Sequence, residues 1–143
     1  RTHLQWMRCS LGQTWTGTNC TGDAQTYQWD SAIGAAETLN KNGGYAGVQD
    51  WRLPTKDELL SLVYCSNGNP MLWNNTGKSC EGDYQRPTIS LSAFPNTPSS
   101  CVWSGSPGAD YAYGAWFVYF YYGYVDCYYR YNDYAVRLVR SGQ

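Results

Sequence analysis

Residues 103–140, WSGSPGADYAYGAWFVYFYYGYVDCYYRYNDYAVRLVR, carry two messages in one run. The first is a thin apolar frame: Trp103, Ala115, Trp116, Val118, Phe120, Val136, Leu138 and Val139. Alternation along 115–120 puts Trp116, Val118 and Phe120 on one face of a strand, with Phe117 and Tyr119 on the other. Val102-Trp103-Ser104 opens the same sheet and Tyr122-Gly123-Tyr124 reads as a turn. Residues 134–139 form the expected last strand, Val136 and Leu138 sharing a face. The second message is tyrosine. Ten of the 14 fall here: Tyr111, Tyr113, Tyr119, Tyr121, Tyr122, Tyr124, Tyr128, Tyr129, Tyr131 and Tyr134. No core absorbs that many phenols, because each buried hydroxyl must find a hydrogen-bond partner or cost free energy. Most of these rings are therefore expected at the surface, where tyrosine offers large, rigid contact area at low entropic cost.

Upstream the period changes. Trp29, Ala32, Ile33, Ala36 and Leu39 keep the i, i+3, i+4, i+7 spacing of an amphipathic helix. Thr26 is its expected N-cap and Asn42-Gly43-Gly44 its stop. TKDE at 55–58 is a capping box, in which Thr55 and Glu58 satisfy each other's backbone N–H groups. Leu59, Leu60, Leu62 and Val63 then form the buried face of a second short helix ending near Cys65, with Asp57 and Glu58 complementing its dipole. Residues 4–8 read as a first strand. Pro87, Pro95 and Pro98 block long elements between Cys80 and Cys101, and Ile89, Leu91 and Phe94 are expected to pin that loop to the core. Trp15 and Trp51 read as packing anchors. Arg52 is expected to hold nearby carbonyls or Asp50, and Arg137 and Arg140 to make ion pairs or sheet-edge contacts. Two helices followed by antiparallel strands define an α+β fold class, in one domain spanning 1–143.

The net charge of −1, from 10 basic and 11 acidic residues, leaves no footprint of a nucleic-acid binder. No apolar run approaches the roughly 20 residues that span a bilayer. The start RTHLQWMRC reads as a piece of a longer protein, with any targeting segment upstream. Six cysteines against one histidine favour disulfides over zinc. Of the 15 pairings that six cysteines permit, the most economical joins Cys9 with Cys20 and Cys65 with Cys80, closing short loops that each stabilise by about 3 kcal/mol in the chain-entropy model. Cys101 and Cys127 remain as a third pair by elimination, and an oxidising compartment follows. His3 alone supplies no material for a Ser/His/Asp arrangement, and Asp126 with Asp133 is weighed as a hydrolytic pair and set aside. Neither enzyme activity nor a cofactor is expected, although carbonyls and scattered acids leave room for a structural calcium.

GVQDWRLPTKDELLSL, followed by FPNTP, VWSGSP, AWFVYF and the closing YAVRLVRSGQ, resembles the DUF1566 family, which includes the C-terminal domain of the Legionella collagen-like adhesin. The opening LQWMRCSLGQTW extends the likeness over nearly the whole chain. WRLPT-x-x-EL together with VRLVR is its specific pair. The resemblance implies a C-type-lectin-like fold: two helices packed on antiparallel sheets, paired first and last strands, and a loop-rich display face. The tail is further similar to the variable region of proteins diversified by retroelements, in which template adenines are randomised. In the frame AW-x-V-x-F-x-x-G the variable slots are Phe117, Tyr119, Tyr121 and Tyr122. Asp110, Tyr111, Tyr113, Tyr124, Asp126, Cys127, Tyr128, Tyr129, Tyr131, Asn132, Asp133 and Tyr134 continue them. All but Cys127 are candidate ligand-binding residues; a slot at Cys127 undercuts its link to Cys101. What this implies is non-enzymatic recognition of a protein or glycan on a cell or virus surface, by a secreted or surface-exposed bacterial or phage protein. A glycan-binding adhesin or phage-fibre tip is the alternative. A sulfated-glycan site at Arg137 and Arg140 is the weaker expectation, given the charge balance.

Overall fold

The computed structural model describes residues 3–142. In chain order the elements are β1 (Leu4–Trp6), β2 (Thr14–Trp15), β3 (Cys20–Thr21), β4 (Thr26–Tyr27), α1 (Trp29–Lys41), α2 (Lys56–Leu60), β5 (Cys101–Pro107), β6 (Gly114–Tyr119), β7 (Tyr124–Tyr129), β8 (Tyr134–Ala135) and β9 (Val139–Ser141). The main sheet runs β4-β8-β5-β6-β7. Only β5 and β8 are parallel within it. The terminal strands β1 and β9 pair antiparallel, Trp6 opposite Val139, and β2–β3 is a small hairpin inside the first cysteine loop. This α+β arrangement, with its closed termini, is that of a small C-type-lectin-like domain.

Local signals place both helices. In α2 the capping box is complete: Glu58 N donates to Thr55 Oγ1 (3.2 Å) and Thr55 N to Glu58 Oε1 (2.8 Å). The same carboxylate receives both arms of Arg52, at 2.8 and 3.0 Å. Arg52 thus ties to Glu58 and the Leu53 carbonyl instead of Asp50, whose partner is Arg140. Backbone bonds of 2.9 Å in both directions between Arg52 and Val139 hold that segment beside the last strand. On α1, Trp29, Ala32 and Ala36 are buried, while Ile33 and Leu39 are partly buried against the same cluster. Thr26 is not its cap. Thr26 lies in β4, and the cap position is Gln28, whose side chain makes no capping bond. One exposed helix N–H is met instead by a distant segment, Trp29 N donating to Arg130 O at 2.9 Å.

Both faces of the inner strands β5 and β6 are covered, whereas the edge strand β7 has no fully buried residue. Trp103, Phe117, Val136 and Leu138 pack with Trp29, Ala32, Ala36 and Trp51. Val102, Val118, Phe120 and Ala135 pack with Leu59, Leu60, Val63, Ile89 and Phe94 on the opposite face. Each indole buried in the first cluster finds an acceptor: Trp29 donates to Ser104 O, Trp103 to Tyr27 O and Trp51 to Tyr45 O. Leu91 departs from expectation: it is 38% exposed, and Ile89 and Phe94 are the apolar residues of the loop that enter the core.

The expected last strand, 134–139, is in fact two. Between β8 and β9 the chain turns Arg137 inward, leaving it 2% exposed. Its guanidinium donates to Met7 O (3.0 Å), Arg8 O (2.6 Å) and Thr97 Oγ1 (2.8 Å), and lies 4.7 Å from the Phe94 ring centre. These partners are carbonyls and a hydroxyl, so the expected ion pair is replaced. Arg140 does form one, with Asp50.

Cys9–Cys20 and Cys65–Cys80 are bonded, and Cys101 and Cys127 are free thiols. The third pair fails on sheet geometry. Strand β6 separates β5 from β7, which sets the two cysteines about 10 Å apart across the sheet. Cys101 faces Tyr119 and Cys127 faces Trp116, so they are also offset along the strands. A disulfide tolerates about 7 Å between Cα atoms.

Two outcomes follow from this architecture. Denaturation without reductant should expose two alkylatable thiols, Cys101 and Cys127, identified by peptide mass mapping. Glu58 is held below the ordinary glutamate range, first by its hydrogen bond from Arg52, and burial only partly opposes this. Its contribution is therefore complete above the unfolded value of about 4.3 and is lost as pH falls through the lower folded value. Glu58→Gln should cost about 1 kcal/mol in urea titrations at pH 7. The difference from the parent chain should shrink as pH falls below about 4.

Candidate functional site

The β6–β7 hairpin carries the densest part of the tyrosine set, and residues from outside it fix its turn. Gly123 N donates to Tyr119 O at 2.7 Å, with Gly123 at φ +87°. A Cβ there would meet Val63 Cγ1 at 2.9 Å and Cys80 Sγ at 3.1 Å, so both the backbone and the space require glycine. Cys80 N donates to Tyr122 O (2.9 Å), Thr88 donates twice to Phe120 O (2.7 Å each), and Phe120 N to Ser100 O (3.0 Å). The Cys65–Cys80 disulfide and the proline-rich loop thus clamp the hairpin from beneath.

The rings form three groups. At the turn, Tyr121 and Tyr122 lie 4.8 Å apart, and Tyr119 lies 5.5 Å from both Tyr122 and Tyr124. Arg86 lies against this group, 4.2 Å from the Tyr84 ring, 4.9 Å from Tyr121 and 5.8 Å from Tyr122. At the far end of β7, Tyr129 contacts Tyr128 and Tyr111 at 4.9 and 5.6 Å. The third group is anchored inward: Tyr134 packs at 4.6 Å on Trp103 and 4.8 Å on Phe117.

Exposure sorts the expected site residues. Asp110, Tyr113, Tyr121, Tyr122, Asp126, Tyr128, Tyr129, Tyr131 and Asp133 are exposed, Tyr131 reaching 69%. Tyr111, Tyr119, Tyr124, Asn132 and Tyr134 are half-buried, as is Cys127. Phe117 is the correction. At 4% exposed it stands under Trp103 and Tyr134 as core, because it shares the α1-covered face of β6. It supports the surface without joining it.

Four half-buried phenols of this surface, Tyr111, Tyr119, Tyr124 and Tyr134, are hard to ionise. Burial pushes Tyr134 up to about 12, helped by the Cys101 thiol against which its hydroxyl lies. Burial likewise takes Cys101 to about 12. Tyr111 is raised to about 12, first by its hydroxyl contact with Tyr129. Such groups act at neutral pH as uncharged donors and acceptors on aromatic plates. Among the described residues no three His, Cys, Asp or Glu side chains converge, and no helix is long and apolar enough to cross a membrane.

The Lcl C-terminal domain family matches residues 1–140. The chain belongs to that family. The match takes in both the capping-box segment and the tyrosine-bearing hairpin, so clamp and display are parts of one Lcl C-terminal domain. No curated protein matches the chain. The two disulfides of this Lcl C-terminal domain fit an oxidising environment.

Arg86 and Tyr84 were not legible from sequence as surface components, since the Tyr121 and Tyr122 rings that Arg86 reaches lie far along the chain and no local pattern marks the pair. Arg137 and Arg140 leave the surface account: one is buried, and the other is bonded to Asp50 (2.6 and 3.2 Å) and Gln5 (2.6 Å). The sorting by exposure has a direct stability consequence. Phe117→Ala should cost about 3–5 kcal/mol in urea titrations, whereas Tyr121→Ala, Tyr128→Ala and Tyr131→Ala should each stay within about 0.5 kcal/mol of the parent.

Proposed function

We propose that the chain is a non-enzymatic, adhesin-like recognition module whose tyrosine-rich face binds a protein or other ligand on a cell or virus surface, and whose face was diversified by a retroelement. One observation carries this reading. Along 110–134 the residues in variable slots are exposed or half-buried, Phe117 excepted, while of the intervening residues Gly114, Ala115, Val118, Phe120 and Gly123 are buried, Trp116, Val125 and Arg130 half-buried, and Ala112 alone is exposed. A surface meant to vary needs that separation, because substitutions outside the core cost little stability. The mechanism is contact alone. Tyrosine rings supply rigid area, their hydroxyls and the carboxylates of Asp110, Asp126 and Asp133 supply hydrogen bonds, and a few central rings carry most of the energy. A secreted or cell-surface location accords with the disulfides.

A glycan-binding adhesin or phage-fibre tip is the second reading, favoured by the near-parallel pair Tyr122 and Tyr124, whose planes meet at 12°. Flat plates of this kind suit sugar rings. Two measurements decide. Sibling copies sequenced from the same genome should differ at the slot positions and agree at the frame; differences spread evenly over both would remove the diversification proposal. On a glycan array and a surface-protein array run side by side, protein hits lost in the Tyr121→Ala/Tyr128→Ala variant support the first reading. Glycan hits lost in that variant support the second.

A further inference from the structure

A cavity of about 260 Å³ opens beside Tyr119, between β4, β8 and the start of β5. Thr26, Ser99, Ser100, Cys101 and Ala135 line it from the frame, and Tyr119, Asp133 and Tyr134 from the variable slots. It falls below the roughly 300–1,000 Å³ of pockets that hold drug-sized ligands, and suits a single side chain.

Its chemistry is one-sided. Asp133 is exposed and makes no ion pair; the two ion pairs among the described residues are Arg52–Glu58 and Arg140–Asp50. The hydroxyls of Ser99, Ser100 and Thr26 add oxygen acceptors, and Tyr119 and Tyr134 add aromatic walls. The groups that bear electrostatically on Tyr119, Tyr124 and Tyr134 are Cys101, Asp126 and other tyrosines, none of them basic. The neighbouring guanidinium groups are engaged elsewhere. Arg86 lies on Tyr84 and Tyr121, and Arg130 lies 4.4 Å from the Trp29 ring and donates to Gly114 O. A carboxylate, aromatic faces and hydroxyl oxygens with no cation among them form an incomplete set, and a cation completes it.

We propose that this cavity receives a lysine or arginine side chain of a protein partner, with Asp133 as counter-charge and Tyr119 and Tyr134 as walls along the aliphatic stem. The proposal rests on the tyrosine face being a recognition surface, and it favours a protein over a glycan, whose sugar rings bring no such cation. It also divides the subsite: the frame residues of the floor stay constant, while diversification at Tyr119, Asp133 and Tyr134 rewrites selectivity.

The test titrates the ¹⁵N-labelled chain with n-butylguanidinium chloride and with n-butanol as the neutral control. Saturable amide shifts at Ser100, Cys101, Asp133 and Ala135 are expected with the cation alone, weakening as salt is raised. Asp133→Asn should reduce the apparent affinity about threefold to fivefold, the loss of one exposed charge interaction, whereas Asp57→Asn on α2 should change nothing. Absence of saturable shifts, an equal response to n-butanol, or an unchanged affinity in Asp133→Asn would each overturn the proposal. The sibling comparison is independent of this titration. Cation binding by the cavity alongside siblings that vary at frame positions would keep the subsite and remove the diversified-module reading. The reverse pair of results would do the opposite.

Discussion

A single buried guanidinium closes this fold. Arg137 reaches from between the last two strands to two carbonyls of the first segment, Met7 and Arg8, and to Thr97 in the proline-rich loop. Burial lowers its proton affinity to about 9. The charge nevertheless has three oxygen partners and an aromatic face, which is what makes a buried cation tolerable. Those oxygens depend on it in turn, since a buried acceptor without a donor costs about 1–3 kcal/mol. Pairing of β1 with β9 and docking of the loop at 94–97 therefore rest on the same side chain.

That closure allows the rest of the chain to present side chains without relying on them for stability. A two-stranded hairpin is marginal by itself in water, and the β6–β7 hairpin would be no exception. Here its turn carbonyls are taken up by Cys80 and Thr88, its glycine sits against a disulfide, and its inward residues enter cores on both sheet faces. Free energy resides in the buried frame, leaving the exposed positions open to chemistry of almost any kind. Phe117 and Tyr134 mark the boundary, lying in the tyrosine-rich run yet packing on Trp103.

The surface so held is uneven. One end has an exposed guanidinium, Arg86, backed by Tyr84, Tyr121 and Tyr122. Elsewhere lie the exposed carboxylates of Asp126 and Asp133, among phenols that resist ionisation. On the proposed recognition reading, a ligand for this face needs its own charges distributed in the opposite sense, with orientation set by electrostatics and affinity by the rings.

What the sequence determined by itself is what acts over a few residues. The Thr55–Glu58 capping box spans one helical turn, α1 shows its period in Trp29, Ala32 and Ala36, and the two short cysteine loops close on themselves. The excess of phenols over plausible buried partners likewise pointed outward from composition alone. Tertiary structure decided everything that depends on which distant strands become neighbours. It put Thr26 in a strand opposite Ala135, gave Glu58 and not Asp50 to Arg52, and kept Cys101 from Cys127 by inserting β6 between them. It also sent Arg137 inward and Phe117 under the surface. The physical reason is common to all of these. A cap or a helical stripe is fixed by backbone geometry within its own segment, whereas strand order and register are settled only when segments far apart in the chain compete to bury the same apolar faces.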